Sequence, residues 1–414
     1  MSARLFARGK FSQPRVQPAV ISRPRIEQMA SATQELGNYP QRPRVLIAED
    51  QDDVIAALRL LLKNNGYDVE FVKSPAEALK ALRGGHFDAV LLDLNYSRDT
   101  TSGTEGLELL SQVQALDNTL AVVAMTAWGS IKLAVDAMHR GAADFVQKPW
   151  DNTQLLTVLA EQMSRSRALR EQRLREQLEQ QDAAEIQRAL MPGEIAAPDG
   201  LTIVASSRSA RTVGGDYYDV IRLGAHHSAL CIADAVGKGM GAALLMSNLQ
   251  AAVRMLAPQI HGSRALCNRV NEVISGNNIP GKFITFFYSI IDSQERRISY
   301  TNAGHNLPVL ARADGSIERL GSDDVVLGTF HSWNYHEKQA ELRNGDRLVL
   351  YTDGITECAN ADGAELGEEN LVDVISRNLQ LPANELKDRV LESVLNHCNG
   401  ALNDDATLIV VAVE

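Results

Sequence analysis

The chain has 414 residues, 45% hydrophobic and 22% charged, enough for two or three domains with sizeable cores. A net charge of −11 and a pI near 5.4 exclude the basic face that a nucleic-acid-binding protein needs. No apolar run reaches the ~18–20 residues of a membrane-spanning helix. The cysteines Cys231, Cys267, Cys358 and Cys398 lack disulfide or metal spacing, so reduced thiols in a cytoplasmic protein are expected.

Residues 1–42 carry Arg and Lys with no acid before Glu27, which would suit an organelle transit peptide. Pro14, Pro18 and Pro24 break any amphipathic helix there, so a disordered tail is expected. From Pro43 to residue 151, "RVLIAED", "YDVEFV", "FDAVLLDL", "LAVVAMTA" and "AADFVQKP" read as strands alternating with amphipathic helices. The helix "SPAEALKALRGG" opens on Ser-Pro, a good cap and first-turn pair. Five short apolar strands in this order predict an α/β doubly wound domain, a parallel sheet covered on both faces. Residues 152–190 continue as one helix, with Leu174, Leu178, Ile186 and Leu190 as an interrupted apolar stripe among Arg, Glu and Gln. A solvated linker helix fits this pattern, and so does a two-stranded coiled coil that would make the chain a homodimer. From 191 to 414 strands dominate, interrupted by helices near 240–258, 263–277, 368–379 and 384–398. That pattern predicts an α+β domain of two packed sheets flanked by helices.

In a doubly wound sheet the C-terminal strand ends converge. They bring together Glu49 and Asp50 from the first strand, Asp93 from the third, Thr126 from the fourth and Lys148 from the fifth. Three carboxylates repel unless a cation binds, and all-oxygen ligands suit Mg²⁺. A carboxylate beside that ion is a reasonable phosphoryl acceptor, with Lys148 and Thr126 meeting the transferred oxygens. The layout resembles the receiver domain of two-component response regulators. The resemblance implies Asp93 as phosphoacceptor, Glu49, Asp50 and the Asn95 carbonyl as further Mg²⁺ ligands, and a sensor histidine kinase as partner. It also implies Thr126 and Phe145 as the switch pair and Lys148-Pro149 as the phosphate-sensing turn. The loop "NYSRDTTSGTEG" is longer than usual and makes Asp99 a decoy.

In the C-terminal half, "VGGDYYDV", "ADAVGKGMG", "YTDGITE" and "NDDATLIVV" each place an acid at a strand end or tight turn. The acids are Asp216, Asp234, Asp353 and Asp404, with Asp219 and Asp405 as neighbours. "GKGMG" lacks the spacing of a nucleotide-binding phosphate loop, and its glycines suit close backbone approach at a helix start. Together the segments resemble the metal-dependent protein serine/threonine phosphatases of the PPM type, in the bacterial branch of sporulation and stress-response enzymes. "AEIQRALMP" and "TNAGHNLPVL" fit that branch too. The resemblance implies Asp216, Asp234, the Ala235 carbonyl, Asp353 and Asp404 as ligands of two Mn²⁺ or Mg²⁺ ions, with Asp404 preferred to Asp405. Asp234 is the choice for the bridging carboxylate. Two such ions would acidify water for in-line attack on phosphorus. No basic residue clearly matches the phosphate-binding arginine of eukaryotic relatives; Arg211 is near in sequence only, and His305 and Asn302 read more readily as hairpin residues than as catalytic ones.

The expected function is therefore a response regulator whose phosphorylation at Asp93 controls a phosphatase. By resemblance, its substrate is a phosphorylated anti-sigma-factor antagonist. The rival is a phosphorylation-switched scaffold for the same partner, which would have no need of four clustered acids.

Overall fold

The computed structural model describes residues 42–95, 103–126, 131–193, 195–276 and 280–414. Residues 1–41 of the expected tail, and Asp99 in its long loop, lie outside them. The chain forms two compact units divided between Leu174 and Arg175.

The first unit runs β1 (Arg44–Ala48), α1 (Asp52–Asn64), β2 (Asp68–Val72), α2 (Pro75–Gly84), β3 (Ala89–Asp93), α3 (Thr104–Leu116), β4 (Ala121–Thr126), α4 (Ile131–His139) and β5 (Asp144–Gln147). All strands pair in parallel in the order β2-β1-β3-β4-β5. Successive strand side chains point to opposite faces. Val45, Ile47, Leu91 and Val123 therefore meet Leu58 and Leu62 of α1, while Leu46, Leu92 and Val122 meet Leu107, Leu110 and Val113 of α3. The Ser74 hydroxyl caps α2 by accepting from the Glu77 amide at 3.3 Å, with Pro75 in the first turn.

Helix α5 (Asn152–Leu190) begins inside this unit. Leu155, Leu159 and Met163 are buried against β1, β3 and β4, so its first three turns belong to the core of this unit. Further along, Arg167 donates twice to Asp88 at 3.0 and 3.2 Å, and Arg170 pairs with Asp117 at 2.9 Å.

The second unit holds β6 (Leu201–Arg208), β7 (Asp216–Arg222), β8 (His227–Ala235), α6 (Met240–Leu256), α7 (Ser263–Gly276), β9 (Ile284–Asp292) and β10 (Arg297–Ala303). The short strands β11 (Val309–Ala311), β12 (Ile317–Arg319) and β13 (Lys338–Glu341) follow, then β14 (Arg347–Tyr351), α8 (Asp353–Thr356), α9 (Gly367–Arg377), α10 (Ala383–His397) and β15 (Ala406–Val413). Two antiparallel five-stranded sheets result, ordered β13-β10-β9-β8-β7 and β12-β11-β14-β15-β6. Leu230, Ile232 and Phe287 of one sheet pack on Leu348, Leu350, Ile409 and Val411 of the other. The alternate residues of β8 face α6 and α7, and those of β15 face α10. The layers are thus helix, sheet, sheet, helix, as the strand-rich sequence implied. The three short strands escape sequence reading because three or four residues give too little alternation to detect.

Phe287 is fully buried between the sheets. Phe287→Ala is expected to destabilise the second unit by about 3–5 kcal/mol. A lowered denaturant midpoint for that unit, with receiver labelling by a small phosphodonor unchanged, would bear this out.

Candidate active site and receiver acidic cluster

In the receiver, parallel register brings the ends of β1, β3, β4 and β5 to one edge. Carboxylate oxygens of Glu49, Asp50 and Asp93 lie within 4.8 Å of one another. The Lys148 ammonium donates to Glu49 Oε2 at 2.5 Å and to Asp93 Oδ2 at 2.8 Å. Burial pushes the Glu49 carboxyl above its usual range; the Lys148 hydrogen bond opposes that shift and the Asp93 charge adds to it. Three carboxylates against one ammonium leave negative charge in excess, which fits a divalent cation with oxygen ligands. Thr126 is buried at the end of β4, and its carbonyl accepts from the Lys148 amide at 2.7 Å. The Asn95 amide donates to Asp93 Oδ1 at 3.2 Å. Phe145 stands 44% exposed on β5.

The second site draws on both sheets. Asp216 opens β7 directly opposite Asp234 on β8. Asp353 follows β14 and Asp404 precedes β15, in the other sheet. Asp216 is the link between them: its Oδ2 accepts from Thr352 Oγ1 at 2.8 Å and from Thr407 Oγ1 at 2.6 Å. Among the described residues its Oδ1 is buried without a hydrogen-bond partner, which fits a cation ligand. Burial and then the Asp234 charge push the Asp216 carboxyl well above its ordinary range. Asp234 is pushed up to about 7 by burial and by the charges of Asp353, Asp404 and Asp405. Asp353 is pushed up to about 6 by burial, Glu357 and Asp404. The acids therefore act on one another as neighbours, in a layout more open than the receiver triad: among the described residues, only Glu49, Asp50 and Asp93 bring three carboxylates within 4.8 Å.

The two neighbouring acids have other duties. Asp405 is buried and accepts from the Ala210 amide at 2.8 Å and the Gly215 amide at 2.6 Å, so its oxygens hold backbone. Its carbonyl lies 2.1 Å from where a Gly354 Cβ would stand, which is why glycine follows Asp353. Asp404 instead meets the Lys238 ammonium at 2.7 Å. Asp219 is buried and accepts from the half-exposed Arg254 at 2.6 and 3.1 Å and from the Tyr217 hydroxyl, a structural role. The Ala235 carbonyl faces Gly215, 2.7 Å from the place of a Cβ there.

His305 is buried, and burial lowers its pKa to about 4, so the ring is neutral at physiological pH. Its Nδ1 meets Thr285 Oγ1 at 2.8 Å, and that hydroxyl reaches the Asp234 carbonyl at 3.4 Å. This places His305 behind the Asp234 strand as a support. Arg211 and Lys282 flank the loop that carries Lys238, close to Gly239 and Gly237 respectively. Sequence reading missed Lys238, Thr352 and Thr407. Each stands within four residues of a candidate acid, and the threonines directly precede Asp353 or closely follow Asp404 and Asp405.

Residues 45–160 match the response regulator receiver domain family, and residues 224–414 match the family described as Stage II sporulation protein E (SpoIIE). The phosphoserine phosphatase RsbU of Bacillus subtilis (strain 168) is 32% identical over 231 residues, 55% of this chain and 68% of RsbU. The chain belongs to the SpoIIE family. Ahead of that unit stands a receiver, 34% identical over 120 residues to the alginate biosynthesis transcriptional regulatory protein AlgB of Pseudomonas putida, covering 29% of this chain and 26% of AlgB. The SiaA-PP2C domain of Pseudomonas aeruginosa superposes with a TM-score of 0.52 at 17% identity, over 58% of this chain and 98% of that domain. That likeness concerns fold alone. The SpoIIE-family unit is a metal-dependent protein serine/threonine phosphatase, and among the described residues no helix is long and apolar enough to cross a membrane.

Without metal, the raised carboxyls make this phosphatase unit sensitive to pH. A carboxyl whose folded pKa exceeds its unfolded value binds protons more tightly when folded, so its contribution falls as pH rises from about 4 through its folded pKa. For Asp353 and Asp234 that window closes at about 6 and about 7. In chelator, the thermal midpoint of the unit should therefore drop between pH 5 and pH 8, and Asp234→Asn should flatten the drop. An unchanged slope in that variant would take Asp234 out of the coupled set.

Proposed function

We propose that phosphoryl transfer from a sensor histidine kinase to Asp93 controls the C-terminal phosphatase, whose substrate is a phosphoserine or phosphothreonine on an anti-sigma-factor antagonist. The observation that carries the hydrolytic part is Asp216, fixed by two threonines from the opposite sheet, facing Asp234, with one buried oxygen unpartnered. Asp216, Asp234, Asp353, Asp404 and the Ala235 carbonyl would hold two Mn²⁺ or Mg²⁺ ions. When bound, such ions acidify water and steady the oxygens around phosphorus during in-line displacement of the serine or threonine oxygen. Thr352 and Thr407 hold Asp216 across the sheets, Thr285 supports the Asp234 backbone, and Lys238 offsets the charge of Asp404. Arg211, Lys238 and Lys282 gather positive charge around one loop beside the acids, which suits an approaching phosphoryl dianion.

In the receiver, Glu49 and Asp50 would hold Mg²⁺ with Asp93 and the Asn95 carbonyl. Lys148 already lies between Glu49 and Asp93, so a phosphoryl group on Asp93 would compete for its ammonium. Thr126 and the exposed Phe145 are then the pair that reports the change, and α5 carries it onward. Leu178 and Ile186 on α5 are 38% and 65% exposed, as pairing with a second copy through that helix requires.

Purified protein is expected to hydrolyse a phosphoserine peptide only with Mn²⁺ or Mg²⁺, and Asp234→Asn should bring the rate to background while Asp93 is still labelled by a small phosphodonor. Asp93→Asn should abolish labelling and remove the effect of the donor on turnover. Folded, metal-saturated protein without turnover would leave only a phosphorylation-switched scaffold.

A further inference from the structure

Gln187 lies near the end of α5, in the part of the helix that belongs to the second unit. The residue is 8% exposed, and its side chain gives both amide atoms to one partner. Nε2 donates to the Gly214 carbonyl at 2.6 Å, and Oε1 accepts from the Gly214 amide at 3.0 Å. Gly214 stands two residues before Asp216, and β7 begins only at Asp216. Gly214 and Gly215 therefore lie outside the sheet ladder and take their hydrogen bonds from elsewhere. The Gly215 amide donates to Asp405 Oδ2 at 2.6 Å, and its carbonyl accepts from the Ala235 amide at 3.3 Å.

The same two glycines are closely walled. A Cβ on Gly214 would fall 2.2 Å from Asp405 Oδ2, and one on Gly215 would fall 2.7 Å from the Ala235 carbonyl oxygen. This short stretch of backbone is thus enclosed by Asp405, Ala235 and the Gln187 amide. Ala184 of α5 packs with Val213 and Ala243 beside it, and Gln250 of α6 donates to the Leu190 carbonyl at 3.1 Å. The tail of α5 is seated on the strand that delivers Asp216.

We propose that Gln187 is a positioning residue of the metal centre: its amide sets the backbone that presents Asp216, so cation affinity depends on how the end of α5 is seated. The proposal rests on the reading of Asp216 as a metal ligand given above. Gln187 touches neither substrate nor the reacting atoms. Asp216 keeps its two threonine bonds when Gln187 is lost, so the strand remains while the main chain leading to the ligand is freed. The defect is then one of affinity. Partners of this outer kind set metal affinity by orienting the ligand itself.

The test uses the full chain carrying Asp50→Ala, so that the receiver does not compete for the ion. Mn²⁺ binding is followed by the electron paramagnetic resonance of the free ion, and phosphopeptide turnover is titrated with Mn²⁺ alongside. Gln187→Leu is expected to raise the half-saturating Mn²⁺ concentration about tenfold in both readouts, with turnover recovered at saturating metal. Gln187→Glu keeps an acceptor for the Gly214 amide but turns an oxygen on the Gly214 carbonyl, and it should shift the titration in the same direction. Gln181→Leu, at an exposed position on the same helix, should leave both readouts unchanged. Unchanged Mn²⁺ affinity in folded Gln187→Leu would overturn the proposal, as would lost turnover that saturating metal fails to restore. If Gln187→Leu does not fold, Gln187→Glu decides by the same criterion. A shift in binding when even the parent lacks turnover would support the clamp and sink the hydrolase reading alone.

Discussion

Carboxylates crowded in a protein interior repel one another strongly, because the medium screens charge far less than water does and burial already disfavours the ionised form. Such a cluster persists only if protons, ammonium groups or metal ions share the site. Both units of this chain are organised around that constraint, and each meets it differently. The receiver sets a single lysine between two of its three acids, with its side chain only 17% exposed. The phosphatase leaves its lysine half in solvent on Asp404 and lets burial raise Asp234 and Asp353 towards neutrality. The first arrangement meets the repulsion with an ammonium, the second chiefly with raised carboxyls and room for cations.

Geometry explains why the acids can be held together at all. In the receiver they follow from parallel register, since strands running the same way end at the same edge. In the phosphatase the acids come from two sheets whose strands are antiparallel, and convergence needs a tie across the gap. Thr352 and Thr407 supply it by donating to a single oxygen of Asp216. Hydroxyl donors are well suited to such a tie, because they stabilise the charged carboxylate without bringing a cation that would displace the metal.

Much of this was legible in the sequence. Apolar strands ending in Glu49, Asp93 and Thr126 state both the parallel sheet and the cleft, because period and strand direction are local properties. The two packed sheets were legible for the same reason. What stayed hidden depends on contacts distant in the chain. Asp404 and Asp405 are adjacent and chemically identical, and only the fold shows that Asp405 holds the amides of Ala210 and Gly215. The stripe of Leu174, Leu178, Ile186 and Leu190 is not what buries α5, since Leu178 and Ile186 are exposed; the helix packs instead through Leu155, Leu159 and Met163 in one core and Ala184 in the other. A periodicity argument that assumes one partner surface reads such a helix as a linker.

Between those two anchorages, residues 175–182 of α5 are exposed throughout. They are Arg, Glu, Gln, Leu, Glu, Gln, Gln and Asp, mostly strong helix formers, and Glu171 and Arg175 stand in the favourable i, i+4 order. A helix this short would be marginal in isolation, because nucleation is costly. Here both neighbouring segments are already helical and docked, so the nucleus is in place and the exposed stretch only has to propagate. Its order is therefore borrowed from its ends. Loosening either anchorage, the Arg167 and Arg170 pairs on one side or the Gln187 amide on the other, removes part of that support. A connector built this way owes its order to its anchorages, so the hydrogen bonds at its ends matter more to its stability than the sequence between them.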